Sequence, residues 1–438
     1  MSPNRASTSV KRVHLVGNHL PRHCGIATFT TDLADAISAN VAGIDCAVVA
    51  MNDAEKRYAY PDRVRFEIGQ SNLAAYRRAA DFMNISSVDI LCLQHEYGIF
   101  GGKAGSHILK LLNDVRMPIV TTLHTILEEP SEEQRYVMDE LVRLSSSLVV
   151  MSEHGGELLR EVHAVPAEKI VLIPHGIPQL PERTLSRKHL DFEDTTLLLT
   201  FGLLSPDKGL EYVIEALPAI VERHPHVVYS IVGVTHPHVK EWHGETYRRS
   251  LELLAHKLGV KEHVVFHDRF VSVSELAEFL SAADIYITPY LNMEQITSGT
   301  LAYALGNGKP VISTPYKYAR ELLADDRGVL VPPKDSAALT EALDKLIGDP
   351  QELSALSARA AAFGADMTWP AVAKKYVALF ERTHRDSQTR RSSFFAAQRT
   401  TSQPLAPPEL KLDHLRNMTD DTGLLQHARF SVPHYEDG

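Results

Sequence analysis

The sequence predicts an α/β fold made of two doubly wound parallel sheets. Three observations carry that reading. Short apolar segments of strand length alternate with amphipathic segments of helix length. The alternation runs through two successive stretches, separated by a charged segment holding Pro174, Pro178 and Pro181. Polar or glycine-bearing loops repeatedly follow the strand-like runs, and such sheets bind ligands at that edge.

In chain order, the apolar run 13–17 is the first strand, and the loop 18–25 leads to a helix over 26–38 with Phe29, Leu33 and Ile37 on one face. Residues 47–50 form a buried-type strand, and 71–83 carry helical periodicity. Strands at 90–93, 119–123 and 148–151 follow, with a helix at 132–144 between the last two. A second alternating set starts at 197–201 and runs to about Val331, followed by helices at 336–347, 351–363 and 369–383. The expected organisation is a low-order N-terminus over 1–12, a first domain over 13–180, a linker over 181–195 and a second domain over 196–366. Residues 385–438 form a low-order tail, because 385–408 are rich in Ser, Thr, Arg, Gln and Pro and only 410–418 show helical periodicity.

Composition narrows the function classes. The chain has 438 residues, enough for two or three full cores, and a formal net charge of −10, which argues against a nucleic-acid binder. Its three cysteines, Cys24, Cys46 and Cys92, have neither disulfide-framework nor metal-ligand spacing, and no Asp-x-Asp pair stands at a strand end, so no metal is expected. No apolar run approaches membrane-spanning length and the N-terminus lacks a signal core, so a cytoplasmic protein is expected, with peripheral membrane contact left open.

The stretch 284–314 is the most informative. Ile285-Tyr286-Ile287 reads as a strand, Thr297-Ser298-Gly299-Thr300 as a small-residue loop, 301–305 as a short helix stopping at Gly306-Asn307-Gly308, and Val311-Ile312-Ser313 as the next strand. Such a loop offers backbone N–H groups and a helix N-terminus to a phosphate or diphosphate, although an ordinary Ser/Thr-capped turn uses the same residues. Gly202 to Gly209, with Lys208, forms a second polar loop after a strand, where a lysine can meet a terminal phosphate; a lone Lys-Gly turn is more often simply solvated. In the first domain, His95 and His124 follow successive strands and could hydrogen-bond a sugar hydroxyl or tune charge near a reacting carbon. With 22 histidines in the chain, either alone is more often structural. Gly25, at a helix start, would permit close backbone approach. The Gly-x-Gly-x-x-Gly, Walker and Gly-x-Ser-x-Gly patterns are missing, which weakens nicotinamide, P-loop and hydrolase readings.

From about Val13 to Thr383 the chain resembles retaining glycosyltransferases of the GT-B fold, family 4. The residues that carry the resemblance are Lys208, Ser298-Gly299-Thr300, the run Ala304-Leu305-Gly306-Asn307-Gly308-Lys309-Pro310-Val311, and Pro174-His175-Gly176-Ile177. It implies two Rossmann-like domains facing across a cleft, with a helix over 367–384 crossing back to the first. It implies transfer of a hexosyl group, mannose or glucose favoured, from a nucleoside diphosphate sugar to a carbohydrate acceptor, with no cofactor. Donor-binding residues would be Gly25, Gly202, Lys208, Glu294, Thr297, Ser298, Gly299 and Thr300. His95 and His124 would face the acceptor, and His124 and Lys208 would be catalytic. Three departures stand out: Leu203 replaces the usual arginine and His175 the usual asparagine. Of the usual glutamate pair, the second falls on Tyr303 and the first on Gln295 or Glu294. These departures favour, as the rival reading, a non-catalytic nucleotide-sugar-binding or partner-docking subunit. The tail, from Leu412 to Pro433, resembles the opening of an appended helical domain, so it is read as a docking segment for a separate helical partner.

Overall fold

The computed structural model describes residues 9–53 and 57–401. Residues up to Asp386 belong to one compact unit, and a second begins at Ser387. The first unit contains two parallel sheets. Strands β1 (Arg12–Gly17), β2 (Asp45–Asn52), β3 (Val64–Gly69), β4 (Ile90–His95), β5 (Ile119–Leu123), β6 (Ser147–Val150) and β7 (Ile170–Leu172) pair in the order β3-β2-β1-β4-β5-β6-β7. Strands β8 (Thr196–Phe201), β9 (Val227–Val232), β10 (Val264–His267), β11 (Ile285–Thr288), β12 (Val311–Ser313) and β13 (Val329–Leu330) pair in the order β10-β9-β8-β11-β12-β13. Every pairing is parallel, with helices covering the faces, so the central strands are buried on both sides. That is why 90–95 and 285–288 read as unbroken or nearly unbroken apolar runs.

Each order reverses once, between β1 and β4 in the first sheet and between β8 and β11 in the second. A crevice opens beyond the carboxyl ends of the strands at such a reversal. The loops carrying Gly25 and Glu96 flank the first reversal, and those carrying Lys208 and Thr300 flank the second.

The chain passes between lobes twice, and the passages pair: Ile177 N donates to Met367 O at 2.8 Å and Trp369 N to Ile177 O at 3.3 Å. The final helix then returns to the first lobe. Val372, Tyr376 and Phe380 share a core with Val120, Val149 and Ile173, and the Tyr376 hydroxyl meets Thr122 Oγ1 at 2.9 Å.

Three boundaries and two edge strands differ from the sequence expectation. The segment read as linker, 181–195, contains the helix Arg183–His189, fastened to the second lobe by Arg183 and Arg187 on Asp284 and by Arg187 on Ala282 O. Its charges look solvated in sequence because their carboxylate partner is about a hundred residues away. The N-terminal order begins before residue 13: Val10 is fully buried and β1 starts at Arg12. The last helix runs Trp369–Thr401, past the expected stop at Thr383. No Gly or Pro interrupts 371–403, so nothing in the backbone ends it there. Strands β3 and β7 escape the apolar pattern because they are edge strands with partly exposed faces. The rest of the tail, 402–438, including the expected docking segment, lies outside the described residues.

Candidate active site

The second lobe assembles its polar loops into one cluster. Gly202 closes β8 with φ +135°, and its N–H donates to Val232 O at 2.9 Å. Lys208 ends a 3-10 turn, Pro206–Lys208, and Gly209 follows it at φ +60°. A side chain at Gly209 would put its Cβ 2.3 Å from Pro289 O, so only glycine lets this turn press onto the loop after β11. The Lys208 ammonium then sits 3.6 Å above the Tyr290 ring centre, and no carboxylate is paired with it among the described residues. The Tyr290 hydroxyl meets Thr300 Oγ1 at 3.0 Å, and Thr300 Oγ1 meets Ser298 Oγ at 3.1 Å. Ser298 caps the helix Gly299–Gly306 by accepting from Leu301 N at 3.3 Å. Ala302 N donates to Ser298 O at 3.0 Å, which leaves the N–H groups of Gly299 and Thr300 without an intrahelical acceptor. Gly202, Leu203, Lys208 and Tyr290, with the apolar Leu204, Ile231 and Val232, line a small pocket open to solvent.

The remaining candidates lie in the first lobe. Gly25 is the first residue of the helix Gly25–Asn40, after the N-cap Cys24, with open space around its Cα. The His124 ring is bound through Nε2 to Gln94 Oε1 at 3.0 Å and lies edge-on to Phe29 at 4.8 Å. Gln94 turns its amide nitrogen to Cys92 Sγ at 3.3 Å, so its oxygen accepts and His124 Nε2 carries the proton. Burial, with smaller contributions from His175 and His95, lowers the His124 pKa to about 3, so the ring is neutral and its Nδ1 is an acceptor. Glu96 is held by Thr125 Oγ1 and nearby amides, and burial raises its pKa.

The lobes meet along a seam of specific contacts. The His23 and Phe270 rings stack at 4.2 Å. The Tyr303 hydroxyl donates to Asp32 Oδ2 at 3.1 Å, and desolvation raises the Asp32 pKa to about 7. Lys317 pairs with both Glu128 and Glu294. Glu321 accepts from the N–H groups of Glu153, at 2.8 Å, and His154, at 3.2 Å, capping a first-lobe helix. Ser152 Oγ donates to Ile296 O at 3.2 Å.

Of the residues singled out in sequence, Gly202 and Lys208 line the pocket, and Thr300, with Ser298 bonded to it and Gly299 before it, adjoins it through the Tyr290 hydroxyl. Thr297 is adjacent, its carbonyl taken by Gln295 Nε2 at 2.8 Å. Gly25 and His124 belong to the first lobe, and His124 reaches the start of the helix Gly299–Gly306 only through Phe29 and His175. Two fall elsewhere. His95 is fully buried between Tyr97 and Phe100, with both ring nitrogens unpartnered, and burial lowers its pKa to about 3. It is therefore inside the wall and not presented to an acceptor. Glu294 is exposed and held by Lys317, so it is a seam residue and not part of the phosphate cluster. Sequence reasoning missed Tyr290, Gln94 and Asp32. Gln94 alone left a signal, as a polar residue inside the apolar run ILCLQH. Among the described residues no group of three or more His, Cys, Asp or Glu side chains is placed to hold a metal ion.

Two family models match this architecture lobe by lobe. Residues 24–179 match Glycosyltransferase Family 4, and residues 181–363 match Glycosyl transferases group 1. The chain belongs to these GT-B glycosyltransferases of group 1 and family 4. It is 27% identical over 276 residues to D-inositol 3-phosphate glycosyltransferase of Xylanimonas cellulosilytica, covering 58% of this chain and 63% of the relative. It is 28% identical over 204 residues to a GDP-mannose-dependent alpha-(1-6)-phosphatidylinositol monomannoside mannosyltransferase of Mycolicibacterium smegmatis, covering 44% and 50%. The match thus spans between half and two thirds of the length of these curated relatives. In fold, the chain is similar to HepE of Anabaena in complex with UDP, with a TM-score of 0.67 at 18% identity over 85% of this chain and 100% of that one. Sucrose-phosphate synthase of Thermosynechococcus elongatus gives a TM-score of 0.66 at 18% identity over 88% and 100%. Among the described residues no helix is long and apolar enough to cross a membrane.

Proposed function

We propose that this chain transfers a hexosyl group, mannose or glucose, from a nucleoside diphosphate sugar to a hydroxyl of a carbohydrate or related acceptor. The observation that carries the reading is Lys208: a cation held by the face of Tyr290 instead of by a carboxylate, beside the open amides of the helix Gly299–Gly306. Its charge stays available to a leaving diphosphate. The ammonium and the amides together stabilise negative charge as the glycosidic bond breaks, which is the step where preorganised donors contribute most. The acceptor hydroxyl attacks from the same face and gives its proton to the departing phosphate; this retention follows the family resemblance. His124, neutral and fixed by Gln94, accepts a hydrogen bond from a sugar hydroxyl through Nδ1. The seam contacts exclude water from the closed cleft and suppress hydrolysis.

The relatives act on inositol phosphate and phosphatidylinositol mannoside, and HepE binds UDP, so GDP and UDP sugars are the first donors to test. The test is release of nucleoside diphosphate from each sugar in the presence of inositol phosphate or oligosaccharide acceptors. A second reading, a binding subunit without turnover, is favoured by one observation: Tyr303 stands where the family has a glutamate and is tied to Asp32 across the lobes. Under that reading nucleotide sugars raise thermal stability but no diphosphate is released.

A further inference from the structure

We infer that His175 is a ligand of the donor's phosphates and takes up a proton as they bind. The inference rests on the donor site proposed above and adds a residue to it. His175 follows β7 at the passage between lobes and is only 7% exposed. Its Nδ1 lies 2.7 Å from Gly176 O. A carbonyl only accepts, so Nδ1 carries a proton and the neutral ring has a bare lone pair at Nε2. That atom has no partner among the described residues. It abuts the start of the helix Gly299–Gly306, and a methyl added at Gly299 would lie 3.0 Å from it. An unpartnered nitrogen on a buried side chain therefore lies against the first residue of this helix, the terminus that favours anions.

A lone pair there repels a phosphate oxygen, whereas an imidazolium donates to it. The empty site favours the neutral form, because burial lowers the His175 pKa to about 4 and only the Gly176 carbonyl opposes this. A diphosphate brings negative charge beside Nε2 and reverses that preference, so one proton moves from solvent to Nε2 and is then shared with a phosphate oxygen. The ring is held for this role by Phe29 at 5.0 Å, Tyr303 at 5.6 Å and Trp369 at 6.1 Å. The titratable groups on the elements packed around it are His124 beyond Phe29, Tyr303, and Asp32 bonded to Tyr303. Asp32 is the only one whose own titration lies near neutrality, and it is controlled for below.

The experiment is calorimetric titration at pH 5.5 with UDP-glucose and with GDP-mannose, whose diphosphates do not titrate there; a rise of roughly 3 pH units in its pKa on binding protonates His175 at that pH. Buffers of different ionisation enthalpy then give the number of protons exchanged. The expected result is net uptake approaching one proton per ligand, retained in Asp32→Asn. In His175→Asn uptake disappears and affinity falls by roughly 10- to 100-fold. His175→Gln, a neutral donor, recovers part of the affinity but none of the uptake; a purely structural histidine gives no such split. Thermal melting of each variant establishes that it is folded. Binding without proton uptake, or uptake that survives in both His175 variants, overturns the inference and leaves the donor site standing. Failure of the unaltered protein to bind either sugar nucleotide overturns both.

Discussion

Asp32 gives the most quantitative test of the seam. Burial in the cleft lifts its pKa from the ordinary 3.8 to about 7, against the opposing hydrogen bond from Tyr303. The folded chain therefore holds a proton at this site over a range where the unfolded chain has released it. Stability accordingly falls as pH rises from about 4 to about 7 and stays lower above that. At about 1.4 kcal/mol per pH unit, the ceiling on this loss is roughly 4 kcal/mol. Solvent reaches one side of Asp32, so about 1–3 kcal/mol is the expected effect. Asp32→Asn keeps an oxygen for Tyr303 and removes the charge. Denaturant unfolding at pH 4.5 and pH 8 should show the variant similar to the parent at the lower pH and more stable at the higher. If parent and variant lose stability in parallel between those values, the carboxyl is not the group responsible and the buried seam is wrongly drawn here.

The other predictions concern the site more directly. Lys208→Ala should lower turnover by roughly 10- to 1000-fold with less effect on acceptor KM, and unchanged turnover removes Lys208 from the mechanism. Gln94→Leu should leave the fold intact but release the His124 ring; nitrogen NMR should report a mixture of tautomers, and a single unchanged tautomer counts against the assignment. Gly209→Ala should destabilise the second lobe by about 1–3 kcal/mol, because the left-handed turn and the Pro289 carbonyl leave no room for Cβ. Prolonged chelation with EDTA should leave turnover unchanged; loss restored by added magnesium would contradict a site whose charge is carried by Lys208 and backbone amides.

The two polar loops of the second lobe were legible in sequence because their signals are local. A strand, a polar turn and a short helix lie within thirty residues, and the sheet rule assigns such turns to the ligand edge. His95 was misread for an equally local reason. The apolar pattern marks β4 but not the residue at which it ends, and successive strand side chains point to opposite faces. Since β4 continues to His95, it is Gln94 that faces His124, and His95 turns into the core against Phe100. Glu294, Asp32 and Tyr290 were beyond reach because their roles depend on partners set by the tertiary fold. Asp32 and Tyr303 are 271 positions apart, and Lys317, which also holds Glu294, is 189 from Glu128. No periodicity encodes such pairs.

The substitution at Leu203 changes how the remaining cation has to work. With leucine where the family resemblance implies an arginine, Lys208 is the sole charged side chain lining the pocket. A carboxylate partner would fix the ammonium equally well but would cancel its charge, leaving a diphosphate little to bind. An aromatic face fixes it through the ring quadrupole and leaves the net charge intact. Tyr290 does this while its hydroxyl reaches Thr300, so one side chain sets both the lysine and the start of the amide-bearing helix. Neutral His124 and His175 add no positive potential before the donor arrives. On the proposed reading, the attraction for phosphate rests on one ammonium and one helix terminus. Removal of Lys208 should therefore cost more here than in a relative whose arginine remains.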